Sequence, residues 1–133
     1  MKLTHACGYA VRAVTYLARQ KGNRLATSRH IAQAQRLPER FLVKVLRPLV
    51  SARLLLSLRG PNGGYRLARP AAAITLLEIV EAVDGPVREV VPALGAKEAG
   101  RFERRLQAAC AAAAEVIRRR LGKVRVADLV GRG

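Results

Sequence analysis

The segment LLLSLRGPNGGYRLARP, residues 54–70, constrains the fold of this 133-residue chain more than any other stretch. Leu54, Leu56 and Leu58 alternate with other residues, and Tyr65 and Leu67 resume after a turn rich in Gly, Pro and Asn. This pattern predicts two short strands joined by a tight loop. The loop does not stand between a strand and a helix, so it is not expected to cradle a nucleotide phosphate. It is either a simple turn or a hairpin tip that touches a nucleic acid.

Two short helices are predicted before the hairpin. Thr27 or Ser28 caps the first, which covers HIAQAQ, and Pro38 suits the first position of the second. The second helix spans residues 38–54, although Pro48 removes a backbone hydrogen bond and predicts a kink or early loosening. Its inner stripe consists of Leu42, Val45, Leu46 and Leu49. Two short helices with a brief break, followed by a hairpin, are typical of a winged helix-turn-helix.

Helices are also predicted on either side of this unit. A first helix spans residues 4–20, with Thr4 as its N-cap and Gly22 as a left-handed C-cap. A later helix covers TLLEIVEAVDG, where Thr75 and Glu78 have the spacing of a capping box and Gly85 ends the helix. The fold class is therefore mainly α with a small β-hairpin wing, and residues 1–85 form the winged helix-turn-helix domain.

The C-terminal part is predicted to hold a linker, residues 86–100, and a dimerisation helix with a tail, residues 101–133. The helix needs a partner for its apolar stripe, either its own domain or the same helix of a second chain. A second chain is favoured because a dimer matches the two-fold symmetry of DNA operators. The stripe consists of Phe102, Leu106, Cys110, Ala113, Ile117 and Leu121.

Charge gives the strongest indication of a binding partner. The chain contains 25 Lys and Arg against 9 Asp and Glu, which gives a formal net charge of +16. Such a surface attracts polyanions, either nucleic acid, an anionic membrane or an acidic protein, and nucleic acid is favoured. The alternative is a solvated surface in an arginine-biased proteome, which would account for part of the excess. No apolar run is long enough to span a membrane and no signal peptide is evident, so a cytoplasmic protein without membrane contact is expected.

Candidate DNA-binding residues lie on the predicted helix-turn-helix and wing. Arg40, Phe41 and Lys44 begin the second helix, where side chains meet base edges. The alternative is that Phe41 is partly core and the two cations are solvated. Ser28 and Arg29 offer donors to a phosphate, and such contacts fix register without reading sequence. The remaining candidates are Lys2, Arg47, Arg59, Gly60, Asn62, Gly63, Gly64 and Arg66.

Signals for catalysis or metal binding are weak. No serine or cysteine has an obvious base partner, so the chain is not expected to be an enzyme. His5 and His30 are too few and too separated for a metal site. Cys7 and Cys110 are interpreted as inert core thiols, with oxidant sensing as the alternative.

Several stretches of the chain together resemble the Rrf-two family of bacterial transcription regulators. The matching stretches are MKLTHACGYAVRAVTYLA, RHIAQAQRLPERFLVKVLRPLVSARLL, RGPNGGYRLARP, ITLLEIVEAVDG and VRVADLV. The resemblance implies a dimer in which the helix over residues 38–54, the third in the chain, enters the major groove of double-stranded DNA while the wing reaches the minor groove. The implied function is a dimeric regulator, with a repressor as the expectation. The alternative is a protein-interaction module whose DNA binding is controlled by a metabolic enzyme acting as protein co-regulator.

The chain departs from the family at several positions. Cluster-binding members carry cysteines and one further ligand between the fourth helix and the dimerisation helix. In an ungapped overlay these positions fall on Pro92, Glu98, Arg104 and Gln107, so no iron–sulfur cluster, and no other cofactor, is expected. Arg36 replaces a glycine common in the helix-turn-helix turn, at a cost of about 1 kcal/mol if the residue is left-handed.

Overall fold

A computed structural model describes residues 3–88 and 100–131 of the chain. The described residues are mostly helical, with one antiparallel hairpin, as expected for a winged helix-turn-helix. In chain order the elements are α1 (His5–Ala18), α2 (Ser28–Gln35), α3 (Glu39–Ser51), β1 (Leu55–Leu58), β2 (Gly64–Leu67), α4 (Leu76–Asp84), α5 (Arg101–Lys123) and α6 (Val126–Val130). Short 3₁₀ turns cover Lys21–Asn23 and Ala71–Ala73.

Helix α1 lies at the centre and packs against α2, α3, α4 and α6. Its buried side chains meet the predicted inner stripe of α3, all of which is buried. Burying apolar surface is the main force that holds these helices together. The largest fully buried side chains are Val14, Leu17, Ile31, Leu42, Leu46, Leu49, Leu54, Leu55, Ile74, Ile79, Val80 and Val126.

The turn between α2 and α3 is closed by an arginine in a left-handed conformation. Thr27 caps α2 by accepting a hydrogen bond from the His30 N–H at 3.1 Å. Arg36 is the C-cap with φ 55° and ψ 46°, so the strain foreseen at this position is present. The Leu37 N–H then donates to the Ala32 carbonyl at 2.9 Å, and Arg12 donates to the Gln35 carbonyl at 2.6 Å.

Two predicted helix boundaries were wrong by a few residues. Pro38 is the N-cap of α3 rather than its first residue, and its carbonyl accepts from the Leu42 N–H. Helix α1 ends at Ala18, and Arg19 is its C-cap. Gly22 does adopt a positive φ of 68°, but it does so inside the following 3₁₀ turn. The sequence thus correctly indicated a left-handed residue at Gly22, but it assigned this residue to the end of α1 instead of to the turn that follows.

Helix α3 continues past Pro48 to Ser51, three residues short of its predicted end. Arg53 is left-handed with φ 61°, and this turns the chain into β1. The strand predicted from Leu54, Leu56 and Leu58 is present as β1, but the burial of these residues does not alternate. Leu54 precedes the strand and is buried with Leu55, whereas Leu56 and Leu58 are exposed because only the base of the hairpin packs on the core.

The C-terminal tail returns to the N-terminal helices. The Leu76 N–H donates to the Val124 carbonyl at 2.8 Å, and the Val126 N–H donates to the Ile74 carbonyl at 2.9 Å. Val126 is fully buried. The tail thus forms the small helix α6 and adds a side chain to the same core.

Helix α4 begins with the predicted capping box and is followed by Gly85. Burial alone would raise the pKa of Glu78, but hydrogen bonds from Arg69 and Thr75 and the Arg69 charge outweigh it, so this pKa lies below its ordinary value. The stabilisation from Glu78 is therefore present near neutral pH and is lost as the pH falls through its folded pKa. Glu81 forms an ion pair with Arg118 and thereby joins α4 to α5.

Replacing Arg36 with glycine is expected to stabilise the protein by about 1 kcal/mol, because glycine adopts the left-handed C-cap without a Cβ clash. Urea unfolding of the variant measures the change. The matched control is Arg29→Gly inside α2, which should destabilise by about 0.8 kcal/mol. Equal destabilisation by both changes would contradict the strain assigned to Arg36.

Candidate nucleic-acid interface

An open cleft of about 730 Å³ separates the hairpin from α3 and from the start of α2. It brings together six residues predicted to bind DNA: Ser28, Arg47, Arg59, Gly60, Gly63 and Gly64. Arg47 and Arg59 are exposed, so the two sides of the cleft each carry a cation. The cleft therefore presents positive charge to an elongated anion.

The hairpin is fixed in place by a backbone pair. The Tyr65 N–H donates to the Ala26 carbonyl at 2.8 Å, and the Ala26 N–H donates to the Tyr65 carbonyl at 2.9 Å. This pair joins β2 to the segment just before α2. It sets the distance between the hairpin and the helix-turn-helix, and hence the width of the cleft.

Two of the loop glycines are required by the hairpin itself. A Cβ on Gly63 would lie 2.2 Å from the Leu58 carbonyl oxygen, and a Cβ on Gly64 would lie 2.7 Å from the Ala26 oxygen. Gly60 differs, since its positive φ of 111° favours glycine but no atom lies within 4 Å of a Cβ built there. The turn interpretation thus accounts for Gly63 and Gly64, while Gly60 leaves open space for close approach by another molecule.

The N-terminal turns of α3 expose an aromatic ring flanked by two cations. Phe41 is 41% exposed, so part of its ring is open to solvent and the rest is covered, which leaves the partly-core alternative standing. The guanidinium carbon of Arg40 lies 5.1 Å from the ring centroid, and the Lys44 ammonium nitrogen lies 5.7 Å from it. Cations at these distances interact favourably with an aromatic face. The result is an apolar surface with charge on both sides, on the part of α3 that faces away from the core.

Helices α2 and α3 are also linked at their first turns. The Ser28 hydroxyl donates to Oε1 of Glu39 at 3.1 Å, so the hydroxyl predicted to meet a phosphate already has a partner. Arg29 is exposed beside it. Nothing in the sequence pattern had singled out Glu39.

The remaining predicted residues lie outside the cleft. Asn62 is exposed at the hairpin tip and Arg66 is half-buried on β2, where it pairs with Leu56. Lys2 lies outside the described residues. Residues that line the cleft without having been predicted are Thr27, Val43, Val50, Ser51, Ser57, Leu58, Pro61 and Tyr65. Val43 and Ser51 lie four residues before and after Arg47, so helical spacing alone places them on the same side of α3 as this arginine.

Only part of the predicted dimerisation stripe of α5 is covered, because this helix packs on α4. Leu106, Cys110, Ile117 and Leu121 are half-buried, whereas Phe102 and Ala113 are exposed. A second apolar side chain, Val116, is 57% exposed, compared with 69% for Phe102. The outer side of α5 therefore carries exposed apolar side chains that the sequence stripe only partly included.

The cysteines and the metal-ligating residues form no site in the part of the chain that the structure describes. No group of three or more His, Cys, Asp or Glu side chains is placed to hold a metal ion there. Burial and the charge of Asp84 raise the pKa of Cys7 to about 11, which keeps this core thiol protonated near neutral pH. Positions 92 and 98 lie outside the described residues. None of the described helices has the length and apolar character needed to cross a membrane.

Comparison with known proteins connects this geometry to a family. A family model described as an iron-dependent transcriptional regulator, Rrf2, matches residues 3–132. The chain belongs to the Rrf2 family. The Rrf-two resemblance inferred from the motifs is thereby confirmed.

Individual relatives agree with this assignment. The chain is 44% identical to protein aau3 of Rhizobium meliloti over 84 residues, which are 63% of this chain and 54% of that protein. It is 37% identical to the transcriptional regulator IscR of Cereibacter sphaeroides over 98 residues, which are 72% of this chain and 63% of IscR. The matches thus span little more than half the length of these relatives.

The fold also matches solved structures of the family. The structure of CymR, the global cysteine regulator of Bacillus subtilis, superposes with a TM-score of 0.77 at 28% identity. The match covers 98% of this chain and 96% of that one. The winged arrangement of this Rrf2 protein is therefore shared over nearly its whole length.

Replacing Gly64 with alanine is expected to destabilise the protein by about 1–3 kcal/mol, because a Cβ meets the Ala26 backbone at a left-handed φ. Thermal unfolding measures the change. The matched control is Gly8→Ala in α1, where no atom lies within 4 Å and alanine should stabilise by about 0.5–1 kcal/mol. An unchanged stability of the Gly64 variant would show that the hairpin is not held against Ala26.

Proposed function

We propose that the protein is a homodimeric, sequence-specific DNA-binding regulator that acts as a repressor at a pseudo-palindromic operator. In this proposal residues 1–85 bind DNA and residues 86–100 link the two parts. Residues 101–133 hold the dimerisation helix and a tail that packs back on the core of the first part. The N-terminal turns of α3 enter the major groove, and the hairpin tip follows the backbone into the minor groove. Membership of the Rrf2 family supports this assignment.

The single observation that carries the proposal is the cationic cleft between α3 and the hairpin. A duplex carries one phosphate charge for about every 1.7 Å of its axis, so cations on both sides of a groove release counterions when they meet it. Arg47 lies on α3 and Arg59 on the hairpin, on either side of the cleft. Gly60 lines the same cleft with no atom within 4 Å of a Cβ built there, so it leaves room for the DNA backbone. Arginine in a narrow minor groove gains further from its negative potential.

Dimerisation is proposed to use the outer side of α5. Phe102 and Val116 are the most exposed large apolar side chains of the described residues, and Ala109, Ala112 and Ala113 lie exposed between them. Small side chains allow two helix backbones to approach closely. Covering this apolar surface with the same surface of a second copy gives the two-fold symmetry that a palindromic operator requires.

The protein is proposed to work without an iron–sulfur cluster, even though its family model is described as iron-dependent. Its two thiols are Cys7, buried in α1, and Cys110, half-buried on α5. Iron–sulfur clusters are held by several thiolates or imidazoles, and residues 86–109 contain no cysteine or histidine. The residues present therefore do not fit a cluster, and no regulatory step is assigned to one. The alternative of an enzyme-controlled protein-interaction module gains no support from these residues.

Binding to duplex DNA that includes the region upstream of the protein's own gene is expected to weaken steeply with salt. The log–log slope should be about −0.9 per neutralised phosphate. The variant Arg59→Ala should bind more weakly and reduce the slope by about 0.9 per arginine lost. The control Arg104→Ala removes the same charge from an exposed position of α5 about 120° around the helix from Val116, and should bind as the unchanged protein does. Fluorescence anisotropy at several salt concentrations measures both. A salt-independent affinity would contradict the proposal.

The variant Val116→Glu is expected to convert the dimer to a monomer, because it places two carboxylates in an apolar interface. Analytical ultracentrifugation measures the mass. The control is Gln107→Glu, which adds the same charge on the opposite side of α5, since nine residues correspond to two and a half turns. Identical masses for the two variants would exclude the outer side of α5 as the interface.

A further inference from the structure

One acidic residue stands on the surface proposed to meet DNA. Glu39 is the only Asp or Glu among the first 77 residues, which contain 14 lysines and arginines. It is exposed and is the first residue of α3, the helix proposed to enter the major groove. A carboxylate at this place repels the phosphates of any duplex. It therefore weakens binding to DNA unless a hydrogen-bond donor of the duplex meets it.

Neighbouring cations do not neutralise this carboxylate. The ion pairs within the described residues involve Glu78, Glu81 and Glu115, and none involves Glu39. Arg40 and Lys44, which are close in sequence, lie over the Phe41 ring instead. The charge of Glu39 is thus kept in a region where every other charged side chain is positive.

A single hydrogen bond holds the side chain. The Ser28 hydroxyl donates to Oε1 at 3.1 Å, while Oε2 has no hydrogen-bond partner among the described residues. The bond joins the first turns of α2 and α3. It restrains the carboxylate beside the N-terminal end of α3, where recognition helices contact base edges.

Helix stability offers a simpler explanation for this residue. A negative charge in the first turn stabilises a helix by about 0.3–1 kcal/mol, and the Pro38 N-cap supplies no side-chain cap of its own. That role is indifferent to DNA sequence. The two explanations therefore predict different base preferences when Glu39 is changed.

We propose that Glu39 is a specificity-determining residue whose carboxylate accepts a hydrogen bond from the N4 amino group of a cytosine in each half-site. In the major groove only cytosine and adenine present amino donors. The adenine amino group lies beside the N7 acceptor, which repels a carboxylate, whereas the cytosine amino group lies beside a C–H. A C·G pair therefore offers a hydrogen bond that offsets the repulsion between the carboxylate and the phosphates, and other pairs do not. The inference rests on the proposed function, DNA recognition by α3.

Selection from a library of randomised DNA duplexes tests the proposal with the full 133-residue chain. The unchanged protein should select a motif with a C·G pair at one symmetric position. Glu39→Ala should lose the preference at that position alone, and Glu39→Gln should change it to adenine, because a carboxamide pairs with both N6 and N7. The control Glu115→Gln removes the same charge from α5 and should select the original motif.

Affinity measurements on the selected duplex supply a second test. Replacing the cytosine by thymine should weaken binding of the unchanged protein by roughly 5- to 150-fold, and should leave binding of Glu39→Ala almost unaffected. If the alanine variant unfolds, as circular dichroism would reveal, Glu39→Gln and the thymine duplex decide the question.

The outcomes separate this inference from the proposed function. If the unchanged protein selects no motif, sequence-specific recognition itself is wrong, and the role of Glu39 with it. If it selects a motif that both Glu39 variants also select unchanged, the regulator stands and the proposal for Glu39 is overturned. In that case Glu39 serves only the stability of α3.

Discussion

The backbone pair between Ala26 and Tyr65 is the contact on which the binding surface depends. It connects β2 to the residue that precedes the Thr27 cap of α2, so one short bridge fixes the hairpin relative to the helix-turn-helix. The base of the hairpin is held separately, by the buried Leu55 and Leu67 and by two hydrogen bonds between Asn23 and Leu67. The bridge also explains why Gly64 stands where it does, because any side chain there would push the strand away from Ala26.

Charge and stability are traded against each other around α3. Arg36, three residues before the helix, and Arg53, two residues after it, are both left-handed, although glycine adopts this conformation with less strain. Between them α3 carries its cations outward and its leucines inward, so the core interactions must offset that strain. The sole carboxylate of this region stands at the start of the same helix. The surface proposed to recognise DNA thus includes residues whose backbone conformation or charge is unfavourable for the stability of the free protein.

Much of the fold could be predicted because local chemistry determines it. The Thr75–Glu78 capping box and the Thr27 cap were correctly located, since a cap requires only residues that are near in sequence. The errors arose where tertiary contacts decide the outcome. Leu56 and Leu58 look like strand core residues, yet they are exposed because the hairpin extends beyond the body.

The candidate site was less predictable for the same reason. Arg47 and Arg59 are twelve residues apart, and tertiary contacts, including the Ala26–Tyr65 bridge and the Asn23–Leu67 hydrogen bonds, place them on either side of one cleft. The Ser28–Glu39 contact likewise depends on how α2 meets α3. Sequence patterns identified the cations and the glycines, but they could not show which glycines serve the hairpin and which leave room for a ligand.

Hydroxyl-radical footprinting tests the central claim, that two copies grip one duplex with α3 and the hairpin of each. The suitable probe is the duplex upstream of the protein's own gene. A symmetric dimer should give two minor-groove patches of protection, related by two-fold symmetry and separated by a whole number of helical turns of about 10.5 base pairs. Uniform protection along the duplex, or one patch without a symmetric counterpart, would contradict it.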